Sequence, residues 1–115
     1  MFKRAICLAG VVIAATLSGS HAQAGDALSN QEILRLAPGT FQALVKGKYA
    51  VTVTLARDGS AVGRAQGLED RGRWTVRGDE LCIVLPTWTR GRVECSAVVA
   101  DNGWYRGRNV AFRKL

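Results

Sequence analysis

Hydrophobic and polar positions along the chain fall into three regimes. Residues 5–17 are apolar with no charge among them, behind Lys3 and Arg4. Residues 28–37 carry apolar side chains at helical spacing. From residue 40 onward the period shortens to two and holds to the C-terminus. Each regime predicts a different kind of element.

The first regime ends in Ser18, Gly19 and Ser20 and an Ala22-Gln23-Ala24 triplet. A charged start, an apolar core and a small-x-small close are the pattern of a cleavable export leader. The competing reading is a retained membrane anchor. Spanning a hydrocarbon layer of roughly 30 Å takes about 20 residues, and this run is too short. Cys7 lies at the front of the run, not after small residues at its end, so it does not mark a lipoprotein. Residues 1–24 are therefore expected to be a signal peptide and residues 25–115 a single domain. No integral membrane span is expected after cleavage, and the location is periplasmic or secreted.

The second regime predicts a short helix. Ser29 and Glu32 have the S-x-x-E spacing of a capping box, in which each side chain satisfies a backbone N–H of the other. Leu28 and Ile33 stand where a hydrophobic staple needs them, and Ile33, Leu34 and Leu36 supply an apolar face. Pro38-Gly39 ends the helix at about Ala37.

The third regime predicts strands at residues 40–45, 49–55, 61–68, 73–77, 80–85, 92–100, 104–106 and 110–113. Arg57-Asp58-Gly59-Ser60, Glu69-Asp70-Arg71-Gly72, Gly78-Asp79 and Asp101-Asn102-Gly103 read as the turns between them. The fold class that follows is mainly β: an antiparallel meander curling into a small barrel or a curved sheet. The helix is expected to plug one end or cover an edge.

A domain of about ninety residues buries only about 60–65% of its unfolded surface and gains from a covalent staple. Once the leader is gone the cysteines are Cys82 and Cys95. An even pair in an exported chain reads as a disulfide, and two buried free thiols are disfavoured in an oxidising compartment. If the two are cross-strand partners, Val84 faces Val93 and the turn centres on Trp88-Thr89. Cys82, Val84, Val93 and Cys95 then share one face, with Leu81, Ile83 and Leu85 on the other.

The chemical inventory excludes more than it offers. The one histidine, His21, lies in the leader. The domain thus lacks the commonest general base and the partner of a nucleophilic Ser or Cys. It also lacks nitrogen and free-thiol ligands for zinc, copper or haem, so no metal and no cofactor are expected. Asp58-Gly59-Ser60 and Asp101-Asn102-Gly103 lack the acidic spacing of a calcium loop and read as turns. Glu69-Asp70 and Asp79-Glu80 are carboxylate pairs, but each is expected in a turn beside arginine, solvated and ion-paired. The reading is that the chain is not an enzyme.

Charge and aromatic residues give the positive content. Lys3 and Arg4 leave with the leader, and the remaining cations still outnumber the nine acids by five. Most are arginine, whose planar fork suits carboxylate and phosphate. Arg71, Arg73 and Arg77 alternate with Trp74 and Val76 along one strand. Arg90 and Arg92 flank the Trp88 turn, and Arg106 and Arg108 follow Trp104. Gathered together, they form a cationic surface with aromatic rings, suited to a polyanion. The competing reading is the solvated outer face of a small sheet. Trp88, at a hairpin tip, is either a contact residue or folded back over the sheet. Trp74 reads as core, and Trp104 as core or rim.

Gly72-Arg73-Trp74, Leu81-Cys82-Ile83, Cys95 and Tyr105 together resemble a pattern in small exported α-proteobacterial proteins of unknown function. The resemblance spans roughly residues 45–106 and implies a β-rich exported domain; it carries over no catalytic residues. The function expected is an exported binding module whose partner is an anionic glycan, a lipid head group or an acidic protein, with nucleic acid disfavoured. The alternatives are a structural or stress-related envelope protein and a small proteinaceous inhibitor of a hydrolase.

Overall fold

The computed structural model describes residues 25–115; the leader assigned to residues 1–24 lies outside the described residues. One short helix, α1 (Asn30–Leu34), precedes nine strands: β1 (Gly39–Val45), β2 (Tyr49–Leu55), β3 (Ser60–Ala65), β4 (Leu68–Arg77), β5 (Glu80–Val84), β6 (Glu94–Ser96), β7 (Val99–Asp101), β8 (Trp104–Gly107) and β9 (Val110–Lys114). All pair antiparallel in one sheet, in the order β6-β5-β4-β3-β2-β1-β9-β8-β7.

The two edge strands of that order, β6 and β7, are consecutive in the chain and separated by Ala97 and Val98 alone. Three residue steps reach at most about 11 Å, so the sheet must curl until its edges nearly meet. The expected single strand at residues 92–100 is in effect one extended segment that changes partner. Its first half pairs with β5 through Cys82↔Cys95, and its second half pairs with β8 through Val99↔Arg106. Ser96 joins both sides: it stands opposite Leu81, and its Oγ accepts the Arg108 N–H at 2.7 Å. The outer edge of β7 is in turn met by Ala27, with the Leu28 N–H donating to the Val98 carbonyl at 2.7 Å.

The capping box forms as its spacing predicts. Ser29 Oγ accepts the Glu32 N–H, and Glu32 Oε1 accepts the Ser29 N–H at 2.8 Å. The helix stops at Leu34, three residues short of expectation, because the chain passes into a turn at Arg35 and Leu36. That turn drops Leu36 and Ala37 into the core beside Ile33. The Asn30 N–H donates to Asp79 Oδ1 and its side-chain amide to the Gly78 carbonyl, which ties α1 to the β4–β5 turn. The helix therefore plugs one end of the curled sheet. Ile33 from the helix and Leu36 from the turn after it join one core cluster with Phe41, Leu55, Trp74 and Phe112 from the strands. Phe41, Phe112 and Tyr105 pack ring against ring, with centroids 5.2 to 6.4 Å apart. Trp74 is core, as expected, and its indole N–H donates to the Ala56 carbonyl at 2.7 Å.

Cys82 and Cys95 form the disulfide as direct cross-strand partners. The ladder runs from Leu81↔Ser96 to Ile83↔Glu94 and stops there, so Val84 and Val93 share the face but not the ladder. Closing a loop of this length contributes about 3 kcal/mol through the unfolded chain. The Cys82→Ser/Cys95→Ser variant should lose about that much in a urea titration; an unchanged midpoint would contradict the staple role.

One expected turn is absent. Glu69, Asp70, Arg71 and Gly72 lie inside β4, and the reversal is at Gln66 and Gly67, which both adopt positive φ. A ten-residue strand was hidden because its inward positions are Asp70, Gly72, Trp74 and Val76, of which the first two look like turn residues.

Candidate functional site

Antiparallel register fixes which connections share an end. The helix end holds α1 and the turns at residues 56–59, 78–79 and 102–103. The opposite, open end holds the turns at 46–48, 66–67 and 108–109 and the loop at 85–93. The Lys46 N–H donates to the Asn109 carbonyl at 2.7 Å, joining two of these turns.

The 85–93 loop does not project as a hairpin tip; it folds into the open end. Three small or polar inward positions make room for it. Gly72 has no Cβ, and a methyl there would strike the Val84 carbonyl oxygen, so the chain crosses directly over it. Asp70 is 6% exposed, and its Oδ2 accepts the Thr87 and Trp88 N–H groups at 3.0 and 2.8 Å. Gly63, the cross-strand partner of Asp70, lies under the six-membered ring of Trp88. Thr89 Oγ1 finishes the loop: it accepts the Leu85 N–H and lies within hydrogen-bond reach of the Leu85 and Arg92 carbonyls.

This corrects the expectation that Asp70 is a solvated turn carboxylate; it is the internal anchor of the loop. Glu69 is ion-paired as expected, with Arg64 at 3.1 Å and with Arg71. Of the two readings of Trp88, the structure has the fold-back: the residue is half-buried over the sheet. Arg90 and Arg92 stand exposed on the loop.

The predicted basic residues divide between the two ends. Arg71, Arg90, Arg92 and Arg108 surround the open end, together with Trp88. Arg77 and Trp104 lie toward the helix end, and Arg73 reaches back to the Asp58 carbonyl at 3.0 Å. Arg106 is held by Asp101 at 3.2 Å. The guanidinium of Arg113 covers Trp104 with 5.0 Å to the ring centroid, and both its Nε and Nη2 donate to Gln42 Oε1. Strands β4 and β8 are at least four places apart around the curl, so their outer faces point away from each other. The nine residues therefore do not form one patch.

Register adds residues that the sequence reading passed over. Lys46 and Lys48 sit on the turn beside Arg108, and Lys48 Nζ lies 5.5 Å from the centroid of the Tyr49 ring. Apart from the Arg106–Asp101 pair, the open end carries Lys46, Lys48, Arg64, Arg71, Arg90, Arg92 and Arg108 against Glu69, Asp70 and Glu94. The helix end nearly balances, with Asp26, Glu32, Asp58, Asp79 and Glu80 among its charges. Four of the five surplus positive charges of residues 25–115 thus lie at one end. The acids at the other end are partly fixed there by local bonds. The Asp58 carboxyl, for example, is held below its usual range by the Ser60 hydroxyl and N–H, with Arg73 adding to the effect.

Two concavities mark the outer surface. One, of about 380 Å³, runs from Gln42 and Thr52 past Arg64 to Leu68 at the open end. The other, of about 210 Å³, has Cys82, Val84 and Val93 between Arg73 and Arg77. Both are smaller or shallower than the enclosed clefts that bury a small-molecule substrate. Among the described residues, no three His, Cys, Asp or Glu side chains are grouped to hold a metal ion. No helix among them is long and apolar enough to cross a membrane. The chain matches no protein-family model, no curated protein and no solved structure.

Proposed function

We propose that this is an exported, non-catalytic binding module that engages an anionic envelope or partner surface through the open end of its curled sheet. The observation that carries the reading is the segregation of charge. Solvated arginines scattered over a sheet would leave the two ends alike, whereas here nearly all the surplus lies at the end without the helix. Cations on several separate turns act together on a polyanion, because their fields add over a distance of about 8 Å at physiological salt. The half-buried Trp88 beside Arg90 and Arg92 gives that end an aromatic surface as well. The export pattern of residues 1–24 and the resemblance to small exported proteins support a periplasmic or secreted location.

Retention on a heparin column tests this reading. The mature domain should elute well above physiological salt. A Lys46→Glu/Lys48→Glu/Arg108→Glu variant should elute far earlier. Its logarithmic salt slope should be shallower by about one for each cation that no longer meets the polyanion. An Arg77→Glu/Arg113→Glu variant, altered toward the helix end, should elute closer to wild type. Equal losses per reversed cation in the two variants would mean that net charge alone acts, and the end-specific reading would fail.

A further inference from the structure

Among the described residues, the large apolar side chains left exposed are Leu34, Leu44, Tyr49, Leu68, Val93 and Leu115. Three of these, Leu44, Tyr49 and Leu68, belong to the open end, where the cations are, whereas Val93 lies in the outer concavity with Arg73 and Arg77. Tyr49 is 56% exposed and Leu68 is 69% exposed. Each opens its strand in the inward register, at a level where neither the helix nor the 85–93 loop covers it. Their strands are two places apart, about 10 Å, with the Lys46-Gly47-Lys48 turn and the Gln66-Gly67 turn at the tips. Polyanion binding by itself gives no reason to expose Tyr49 and Leu68.

The geometry points to end-on docking on an anionic lipid surface, with Lys46, Lys48 and Arg108 on the head groups and Tyr49 and Leu68 entering the interface beside them. This rests on the proposed reading of the open end and names its partner. Cations near an anionic leaflet contribute about 1 kcal/mol each within a Debye length. Exposed apolar and aromatic groups beside them gain from the head-group boundary, which accepts a ring with a polar tip such as Tyr49. A soluble glycan or an acidic protein meets the same charges, but a glycan offers no apolar phase to Leu68.

Flotation of the mature domain with vesicles tests this. Phosphatidylcholine vesicles carrying about one-quarter phosphatidylglycerol should recruit the protein, and phosphatidylcholine alone should not. The Tyr49→Ser/Leu68→Ser variant should melt at nearly the wild-type temperature, since both side chains are exposed. It should lose at least about ten-fold in vesicle partitioning while keeping its salt elution from heparin. Wild type that binds heparin but not the anionic vesicles would overturn the lipid inference and leave the polyanion reading standing. A Tyr49→Ser/Leu68→Ser variant that partitions like wild type would overturn insertion. Failure on both supports would bring down both readings.

Discussion

Replacing Asp70 by alanine is expected to destabilise the domain by about 3–5 kcal/mol and to release the 85–93 loop from the open end. The carboxylate is buried and accepts two backbone N–H groups, from Thr87 and Trp88, at 3.0 and 2.8 Å. Hydrogen bonds to a charged group are worth about 1.5–3 kcal/mol each, and a buried donor left without an acceptor adds its own penalty. Removing the carboxylate also removes its desolvation cost, which keeps the net effect below the sum of those contributions. Asp70→Asn retains one acceptor oxygen and should recover part of the loss. Two measurements follow: the urea midpoint, and the rate of tryptic cleavage after Arg90 or Arg92. The cut lies between Cys82 and Cys95, so the products stay joined until the disulfide is reduced. Cleavage at the wild-type rate, with an unmoved midpoint, would refute the anchor role.

The second large effect is expected at the other end. Ile33→Ala should cost about 4 kcal/mol, toward the upper part of the range for buried aliphatic truncations. Ile33 is fully buried and sits in a helix of five residues that supplies few other side chains to the core. A plug this short, held by its capping box and by Asn30 against Gly78 and Asp79, cannot sink to fill the cavity. For a domain near ninety residues the melting temperature should fall by roughly 20 °C, which calorimetry reads directly. A fall of only a few degrees would show that α1 covers the end of the sheet without bearing on its stability. The two substitutions act on opposite ends with no shared partner, so their effects should add.

These two sites also separate what is readable locally from what is not. Ile33 was legible: the S-x-x-E spacing and the staple residues satisfy one another within a few positions, and no distant partner is needed. Asp70 was not. Its neighbours Glu69, Arg71 and Gly72 have turn composition, and the N–H groups it accepts lie seventeen and eighteen residues away. Gly63 likewise looks like a weak point in a strand until Trp88 is seen lying on it. The cation cluster shows the same divide. Arg90 and Arg92 are close in sequence, but nothing local brings them to the same end as Lys46, Lys48 and Arg108.

By itself the sequence determined the β meander, the capped helix, the Cys82–Cys95 register and the excess of positive charge. Period-two alternation, turn glycines and a capping box act over a few residues, so they leave a local trace. Only the tertiary structure decided that residues 94–101 serve both edges of the sheet, that the 85–93 loop folds inward onto Asp70, and that the charge gathers at one end. Those outcomes depend on strand order and curl. Both are set by which distant segments bury one another's apolar faces, and no window along the chain contains that information.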